Sequence, residues 1–231
     1  MTTLTLNQSE VIKNSVEKLA PGESLFYQNI SWSDYKQLTD ELTEWPGKRV
    51  TFDGGCLEIM SPLAKHEQYK HLLSDMVRLI SYEMEIDVQS LGSTTFTEEW
   101  LNKGAEPDTC FYVANAMSII GKRRIDLNID PPPDIAAEVD ITSPSIRKLP
   151  IYEAMQVPEV WLYNEKSLRI FLLGDTGYRE SPNSKSFPFL TSEVLTQTLE
   201  RSKTESQSAA LRTFRKWLKT QLNLNKKTDQ S

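Results

Sequence analysis

The sequence is poor in the residues that build disulfides, histidine-rich metal sites and membrane spans. Its 231 residues include two cysteines and two histidines. No apolar run approaches the roughly 20 residues of a membrane-spanning helix. Residues 1–9 are polar and threonine-rich and lack a basic segment followed by an apolar one, which argues against a signal peptide. We therefore expect a cytoplasmic protein that does not contact a membrane.

The few cysteines and histidines stand in patterns that exclude common metal and disulfide sites. Cys56 and Cys110 are isolated in apolar surroundings, so we expect buried free thiols in a reducing compartment. His66 and His71 are five positions apart and would point about 140° away from each other on a helix, so they do not form a two-histidine metal pair.

Positive charge is also scarce, since 26 Lys and Arg face 32 Asp and Glu, giving a net charge of −6. This balance argues against a general nucleic-acid coat protein, because phosphate binding depends on Lys and Arg. It does not exclude a nuclease, because a carboxylate metal site is itself negative until the ion binds. Local basic segments occur at Lys122-Arg123-Arg124, Arg147-Lys148 and 212–227, and each is either a DNA contact or a solvated surface. Gly-rich phosphate-binding motifs are missing, so we expect no nucleotide cofactor.

The hydrophobic periodicity predicts one main domain with a lead-in and a helical tail. We place the lead-in at 1–29, with a short helix near 10–19, the main domain at 30–190 and a C-terminal helical extension at 191–231. The order of elements predicts an α/β or mixed α+β fold with a central sheet flanked by helices. Predicted helices are 31–42, 62–85, 152–155, 192–201 and 206–222, and predicted strands are 49–52, 56–60, 86–89, 93–98, 109–113, 135–141, 159–163 and 167–173.

Several aromatic and apolar side chains are predicted to serve packing. Leu211, Phe214, Trp217 and Leu218 form a stripe that we expect to pack back on the domain. Trp100, Trp161 and Tyr163 are predicted as core or interface residues and not as base-stacking platforms.

Acidic residues at two strand ends are the candidates for chemistry. Glu138 lies in the otherwise apolar run 135–139, and such a strand does not tolerate a carboxylate unless it is paired or bound to a metal. Strand alternation places Glu138 and Asp140 on one face. Asp108 stands at the mouth of another apolar strand, where it is either a turn-forming cap or a metal ligand. Because Mg²⁺ prefers oxygen ligands and keeps several waters, two or three carboxylates suffice.

Lys148 follows the second acidic strand after a short turn. It either folds back over the strand end, where an ammonium group orients the attacking water and offsets phosphorane charge, or lies on the surface. Ser143 and Ser145 have no histidine in a suitable context, so we reject a Ser-His-Asp hydrolase.

Taken in order, several segments resemble the Uma2 family of restriction-type endonucleases, which is abundant in cyanobacteria. They span roughly residues 30 to 173, with a looser match in the C-terminal helices, and each is weak alone. The matching segments are Ile30-Ser31-Trp32, Gly55-Cys56-Leu57-Glu58-Ile59-Met60-Ser61-Pro62-Leu63, His66-Glu67, Leu91-Gly92-Ser93-Thr94-Thr95-Phe96, Glu106-Pro107-Asp108-Thr109-Cys110-Phe111-Tyr112, Pro131-Pro132-Pro133-Asp134, Glu138-Val139-Asp140-Ile141-Thr142-Ser143 and Val157-Pro158-Glu159-Val160-Trp161.

The resemblance implies the PD-(D/E)XK nuclease core, a mixed sheet flanked by helices with a metal at its edge. It implies that Asp108, Glu138 and the backbone carbonyl of Val139 hold Mg²⁺, for which Mn²⁺ is a substitute. The lysine usually found two residues after the second acid is absent, because Asp140 stands there. Family members commonly move this lysine into the following helix, which makes Lys148 the candidate.

Two further residues in the matching segments have open roles. Glu58 is either an additional acid near the metal or a charged residue on an exposed hairpin face. His66 either lines the site and touches phosphate, or has a capping or surface role.

These residues lead us to expect a Mg²⁺-dependent endonuclease acting on DNA. Cutting both strands of a duplex favours a two-fold homodimer. The alternative is a module that kept the nuclease fold, lost cleavage and binds DNA or a partner, which the missing lysine and the acidic net charge favour. A third option is nuclease chemistry on RNA or on a mobile-element intermediate.

Overall fold

The computed structural model describes residues 6–42, 47–141 and 148–228, which form two β-sheets and six α-helices. The predicted turn with Ser143, Ser145 and Arg147 lies outside the described residues. The helices are α1 Leu6–Glu17, α2 Trp32–Leu42, α3 Ala64–Met84, α4 Leu149–Ala154, α5 Ser192–Arg201 and α6 Gln207–Thr228, with a 3-10 helix at Ala116–Ile119. The strands are β1 Ser24–Tyr27, β2 Arg49–Asp53, β3 Cys56–Met60, β4 Gln89–Gly92, β5 Phe96–Glu98, β6 Lys103–Ala105, β7 Thr109–Tyr112, β8 Ile135–Val139, β9 Glu159–Tyr163, β10 Leu168–Gly174 and β11 Gly177–Ser181.

The larger sheet has the order β11-β10-β9-β8-β7-β4 and is mixed, because β8 and β9 are parallel and the other pairs are antiparallel. Its central strand β8 is buried on both faces. Ile135, Ala137 and Val139 pack in the core cluster that holds α3, while Ala136 faces the cluster that holds α4. Glu138 shares the α4 side with Ala136 because side chains alternate along a strand. The predicted mixed α/β architecture is confirmed.

The smaller sheet, with the order β1-β3-β2-β6-β5, is antiparallel and carries α1 and α2 on one face. Ile12 and Val16 of α1 and Leu38 of α2 are buried against Phe52 and Ile59. The helix predicted near 10–19 is present as α1 at Leu6–Glu17, whereas the strand β1 in the same lead-in segment was not predicted. Ser31 caps the N-terminus of α2, since its hydroxyl accepts a hydrogen bond from the Asp34 backbone N–H at 3.1 Å.

Some strand boundaries were wrong for a local physical reason. A strand was predicted at 86–89, but β4 begins only at Gln89, because Glu85 adopts a left-handed conformation with φ 55° that ends α3. The N–H of Ile86 then bonds to the Ser81 carbonyl at 3.1 Å, so this residue is still bound to the helix end. The strand predicted at 93–98 begins at Phe96, and the short strand β6 was missed.

Cys56 is exposed, which corrects the expectation of two buried thiols, whereas Cys110 is buried as predicted. Cys56 begins β3 directly after the Gly54-Gly55 turn and lies on the sheet face opposite α1 and α2.

Among the aromatic residues predicted to lie in the core or at an interface, Trp161 and Tyr163 are buried, but Trp100 is 75% exposed.

The C-terminal helices pack back on the larger sheet as predicted. Phe214 and Leu218 of α6 are buried in the same cluster as the residues of α3, and Leu211 and Trp217 are partly buried beside them. No helix in the described part of the chain combines the length and apolar character needed to cross a bilayer.

Gly104 gives a test of the packing between the small sheet and α2. A Cβ at this position would lie 2.6 Å from Cζ of Tyr35, a fully buried ring that stacks on Phe52 with centroids 4.5 Å apart. Because this ring has no free space to move into, we expect Gly104→Ala to lower the free energy of unfolding by about 1–3 kcal/mol, measured by urea denaturation.

Gly174→Ala is the matched control, since the nearest atom to its Cβ would be 3.8 Å away. Adding Tyr35→Phe to Gly104→Ala should recover part of the loss, because the Tyr35 hydroxyl is buried and has no hydrogen-bond partner among the described residues. Equal stabilities for the two alanine variants would contradict this account of the packing.

Candidate metal and catalytic site

Asp108 and Glu138 lie at the adjoining ends of β7 and β8. The strands are antiparallel and pair Thr109 with Ala137, so one further step along the ladder brings Asp108 beside Glu138. The Val139 N–H donates to Oδ2 of Asp108 at 2.7 Å, which fixes the aspartate against the end of β8. Both side chains are buried, with residue exposures of 2% and 1%. The predicted convergence of the two acids is therefore present in the structure.

Glu138 receives hydrogen bonds from two side chains of the α4 region. The ammonium group of Lys148 donates to Oε2 at 2.9 Å, and the Tyr152 hydroxyl donates to Oε1. Lys148 is the N-cap residue of α4, and Tyr152 lies four positions later, which places both on the same side of the helix. Of the two predicted placements of Lys148, the structure therefore shows the one in which the side chain folds back over the end of β8, and not the surface placement.

Tyr152 is a site residue that the sequence analysis missed. The available signal was its spacing of four residues from Lys148, which puts the two side chains on one helix face. Nothing in the local pattern distinguished it from an ordinary core tyrosine, because the ring itself is fully buried among apolar side chains.

The burial of Glu138 controls the electrostatics of the site. Burial raises the pKa of Glu138 to about 7, the charge of Lys148 acts in the opposite direction, and the nearby charge of Asp108 raises it further. Burial alone lowers the pKa of Lys148, but the negative charges of Glu138, Asp108 and Glu58 outweigh this, so its pKa lies above the usual range. Lys148 is therefore a protonated cation at neutral pH.

Arg49, at the start of β2, is a second site residue that the sequence analysis missed. Its guanidinium lies 3.1 Å from Oε1 of Glu67 and 3.4 Å from Oε1 of Glu106. Its buried Nε, which has no hydrogen-bond partner in the described part of the chain, lies 3.8 Å from Oδ1 of Asp108. Burial raises the pKa of Glu106, and the charge of Arg49 acts against that shift. This arginine links the small sheet to the acidic end of β7.

The structure places His66 in a capping role. Its Nδ1 accepts a hydrogen bond from the Leu63 N–H at 2.8 Å at the start of α3, and the residue is 1% exposed. Burial lowers the pKa of His66, although the charges of Asp108 and Asp140 act in the opposite direction. The imidazole is therefore neutral and close enough to the acids to feel their charge. His71 is exposed on the helix surface.

Glu58 and Asp140 lie at the margins of the site. Glu58 projects from β3, is half-buried, and is one of the charges that raise the pKa of Lys148. Asp140 follows the last residue of β8, and its backbone N–H donates to the Tyr163 carbonyl at 2.7 Å. The strand predicted at 135–141 therefore ends at Val139, two residues early.

The donor set fits a single hard cation. Asp108 and Glu138 provide two carboxylates at one strand end. Burial raises the pKa of Glu138 and the charge of Asp108 adds to that shift, so a divalent ion between the two acids would stabilise their ionised forms. Within residues 6–42, 47–141 and 148–228, no three or more His, Cys, Asp or Glu side chains form a preformed metal cluster. Mg²⁺ keeps several waters and needs only one or two carboxylates, so Asp108 and Glu138 could serve as its protein ligands.

Comparison with known proteins gives a family match and a similarity to a solved structure. The family model "Uma2: Putative restriction endonuclease" matches residues 32–204. The crystal structure of "a putative nuclease belonging to DUF820 from Anabaena variabilis ATCC 29413" is 15% identical, with a TM-score of 0.48, and the match covers 69% of this chain and 97% of that chain. No curated protein matches the chain.

The contact between Tyr152 and Glu138 predicts a specific stability loss. Tyr152→Phe removes only the hydroxyl and leaves a buried carboxylate oxygen without its donor, so we expect a loss of about 1.5–3 kcal/mol in the free energy of unfolding. The measurement is urea denaturation above pH 7, since the pKa of Glu138 is about 7 and the carboxyl is then ionised.

Tyr178→Phe is the matched control, because the Tyr178 hydroxyl donates to the neutral Val157 carbonyl at 2.6 Å. A neutral hydrogen bond contributes about 0.5–1.5 kcal/mol. A Tyr152→Phe loss no larger than that of the control would show that the contact with Glu138 is not charge-assisted.

Proposed function

We propose that this chain, which belongs to the Uma2 family, is a metal-dependent endonuclease that hydrolyses DNA phosphodiester bonds. The observation that carries the proposal is the meeting of Asp108, Glu138 and Lys148 at the adjoining ends of β7 and β8. Two carboxylates and one cation are the groups that a one-metal phosphodiesterase site requires.

In this proposal the carboxylates of Asp108 and Glu138 would hold Mg²⁺. When bound, the ion lowers the pKa of a coordinated water and stabilises charge on the phosphate. Val139 supports the ligands through its N–H, which holds one oxygen of Asp108 at 2.7 Å and leaves the other directed towards Arg49. Tyr152 restricts rotation of the Glu138 carboxylate through its hydrogen bond to Oε1.

The role of Lys148 follows from its protonation state. The surrounding carboxylates hold its pKa above the usual range, so it does not remove a proton from water. A fixed ammonium beside the reacting phosphate instead stabilises the negative charge that grows in the transition state. Glu138 keeps this ammonium in place at 2.9 Å.

Contacts to the DNA backbone must be local, because the net charge of the chain is −6. The predicted basic segment Lys122-Arg123-Arg124 is exposed, although Lys122 pairs with Asp130. Arg212, Lys216 and Lys219 are exposed along α6. We propose these two surfaces as the phosphate contacts outside the metal site.

One observation favours the alternative, a nuclease fold that binds DNA or a partner without cleaving. Both oxygens of Glu138 already accept hydrogen bonds, from Lys148 and Tyr152. If these bonds satisfy the carboxylate fully, the metal affinity of the site is low. The assays below distinguish this case from an active enzyme.

Substitution of the two acids tests the nuclease proposal. With Mg²⁺ or Mn²⁺ the unmodified protein should nick plasmid DNA, and Asp108→Asn and Glu138→Gln should each abolish nicking because each removes a charged ligand. Titration calorimetry with Mn²⁺ should show a parallel loss of metal affinity in both variants. Asp175→Asn, which changes an exposed acid in the turn between β10 and β11, is the control and should remain active.

Cleavage that survives both substitutions would refute the proposed site. If the unmodified protein retards DNA in a gel-shift assay but does not cleave it, the result would support the binding module instead.

Lys148→Met separates charge stabilisation from metal binding. Removal of one transition-state donor should lower the cleavage rate by about 10²–10³-fold. Mn²⁺ affinity, measured by calorimetry, should not fall, because a cation next to the ligands has been removed. A loss of metal affinity as large as that of Glu138→Gln would mean that Lys148 only maintains the structure of the site.

A further inference from the structure

A pocket of about 280 Å³ opens beside the candidate site, on the face of the small sheet that α1 and α2 do not cover. We refer to it as the β3 pocket. Its lining includes Phe26, Thr51, Asp53, Cys56 and Glu58 from β1, β2 and β3, and Ile151 from α4.

The β3 pocket is the uncovered half of a partly covered sheet face. A cross-strand row on this face runs Phe26, Glu58, Thr51, Ala105, Phe96. At one end of the row, Ala105 and Phe96 are buried in the cluster that contains Ile151 and Tyr152 of α4. At the other end the Phe26 ring is 58% exposed. The sheet therefore presents an open aromatic surface where α4 stops covering it.

The pocket and the candidate site share a wall. Ile151 lies three positions after Lys148, which places the two side chains on neighbouring turns of the same helix face. Glu58 lines the pocket, and its charge acts on Lys148. A group bound in the pocket would therefore adjoin a phosphate held beside Lys148.

The lining selects against phosphate and for a planar group that carries hydrogen-bond donors. None of the described residues donates a hydrogen bond to the Glu58 carboxylate, whereas Asp53 is paired with Lys103. An unpaired carboxylate repels a phosphodiester and accepts from N–H groups. An aromatic face stacks on any nucleobase. The volume admits one small ring system and not a duplex.

We propose that the β3 pocket binds a single nucleobase next to the scissile phosphate, stacked on Phe26, with an exocyclic amino group donating to Glu58. The substrate is then single-stranded or locally unpaired at that nucleotide, because a base in a duplex cannot enter. This inference rests on the proposed function and specifies its substrate class. Cytosine, adenine and guanine carry the required amino group, and thymine does not.

The test compares oligonucleotides that differ only in the base. Binding of fluorescently labelled dC and dT oligomers of equal length is measured by anisotropy, with Ca²⁺ replacing Mg²⁺ so that the strand is not cut. We expect tighter binding of the dC oligomer. Glu58→Gln should remove this preference, because a carboxamide can also donate to the thymine carbonyl.

Phe26→Ala should weaken binding of both oligomers by about 5- to 100-fold, the range found for loss of one stacked base. Phe26→Leu should weaken it similarly, because it keeps apolar volume but not the aromatic face. Val11→Ala is the control, since Val11 is an exposed apolar residue with 57% exposure on α1, which covers the other face of the small sheet, and it should not change affinity. Because Phe26 is exposed, thermal unfolding of these variants should match that of the unmodified protein.

The outcomes separate this inference from the proposed function. Unchanged affinity in Phe26→Ala, or binding of a duplex as tight as that of the single strand, would overturn the β3 pocket while leaving cleavage at Asp108 and Glu138 intact. Base-dependent binding without cleavage would support the pocket and count against the nuclease. Absence of DNA binding in any form would overturn both.

Discussion

The rest of the site depends on the neutralisation of Glu138, a carboxylate at the end of a strand that is buried on both faces. A lone buried charge is strongly unfavourable, so the chain must supply donors to it. Lys148 and Tyr152 do so from one face of a short helix. This requirement fixes where α4 lies, and α4 in turn covers one half of the small sheet and leaves the other half open as the β3 pocket.

The parts of the fold that the sequence predicted well are those with a strong local signal. The apolar run of β8 with one internal acid has few alternative structures, and the Asp53-Gly54-Gly55 turn between β2 and β3 is a strong hairpin signal. The elements that were missed are short or lie at a sheet edge. β1 has four residues, and β6 has three with Gly104 in its centre. Their pairing partners, and not their own propensities, determine that they are strands.

Within the site, the sequence analysis identified the residues that stand out from their immediate neighbours in the chain. It missed the residues whose role depends on contacts with distant parts of the chain. Asp108 and Glu138 are acids next to or within apolar strands, so a pattern of a few residues is enough to identify them. Arg49 contacts acids that precede β7 only because β2 of the small sheet lies against the end of the larger one. Cys56 was predicted to be buried because its neighbours are apolar, but alternation along β3 turns it to the open face.

The charges around Glu138 also limit how water can be activated at the site. Lys148 is held protonated, and the Nδ1 lone pair of His66 is engaged by the Leu63 N–H, so neither is available as a general base. In the proposed nuclease, activation of water therefore relies on the carboxylates and on the metal ion that they would hold. The proposed nuclease and the alternative binding module then differ in one respect, which is whether a divalent cation can compete with Lys148 and Tyr152 for the oxygens of Glu138.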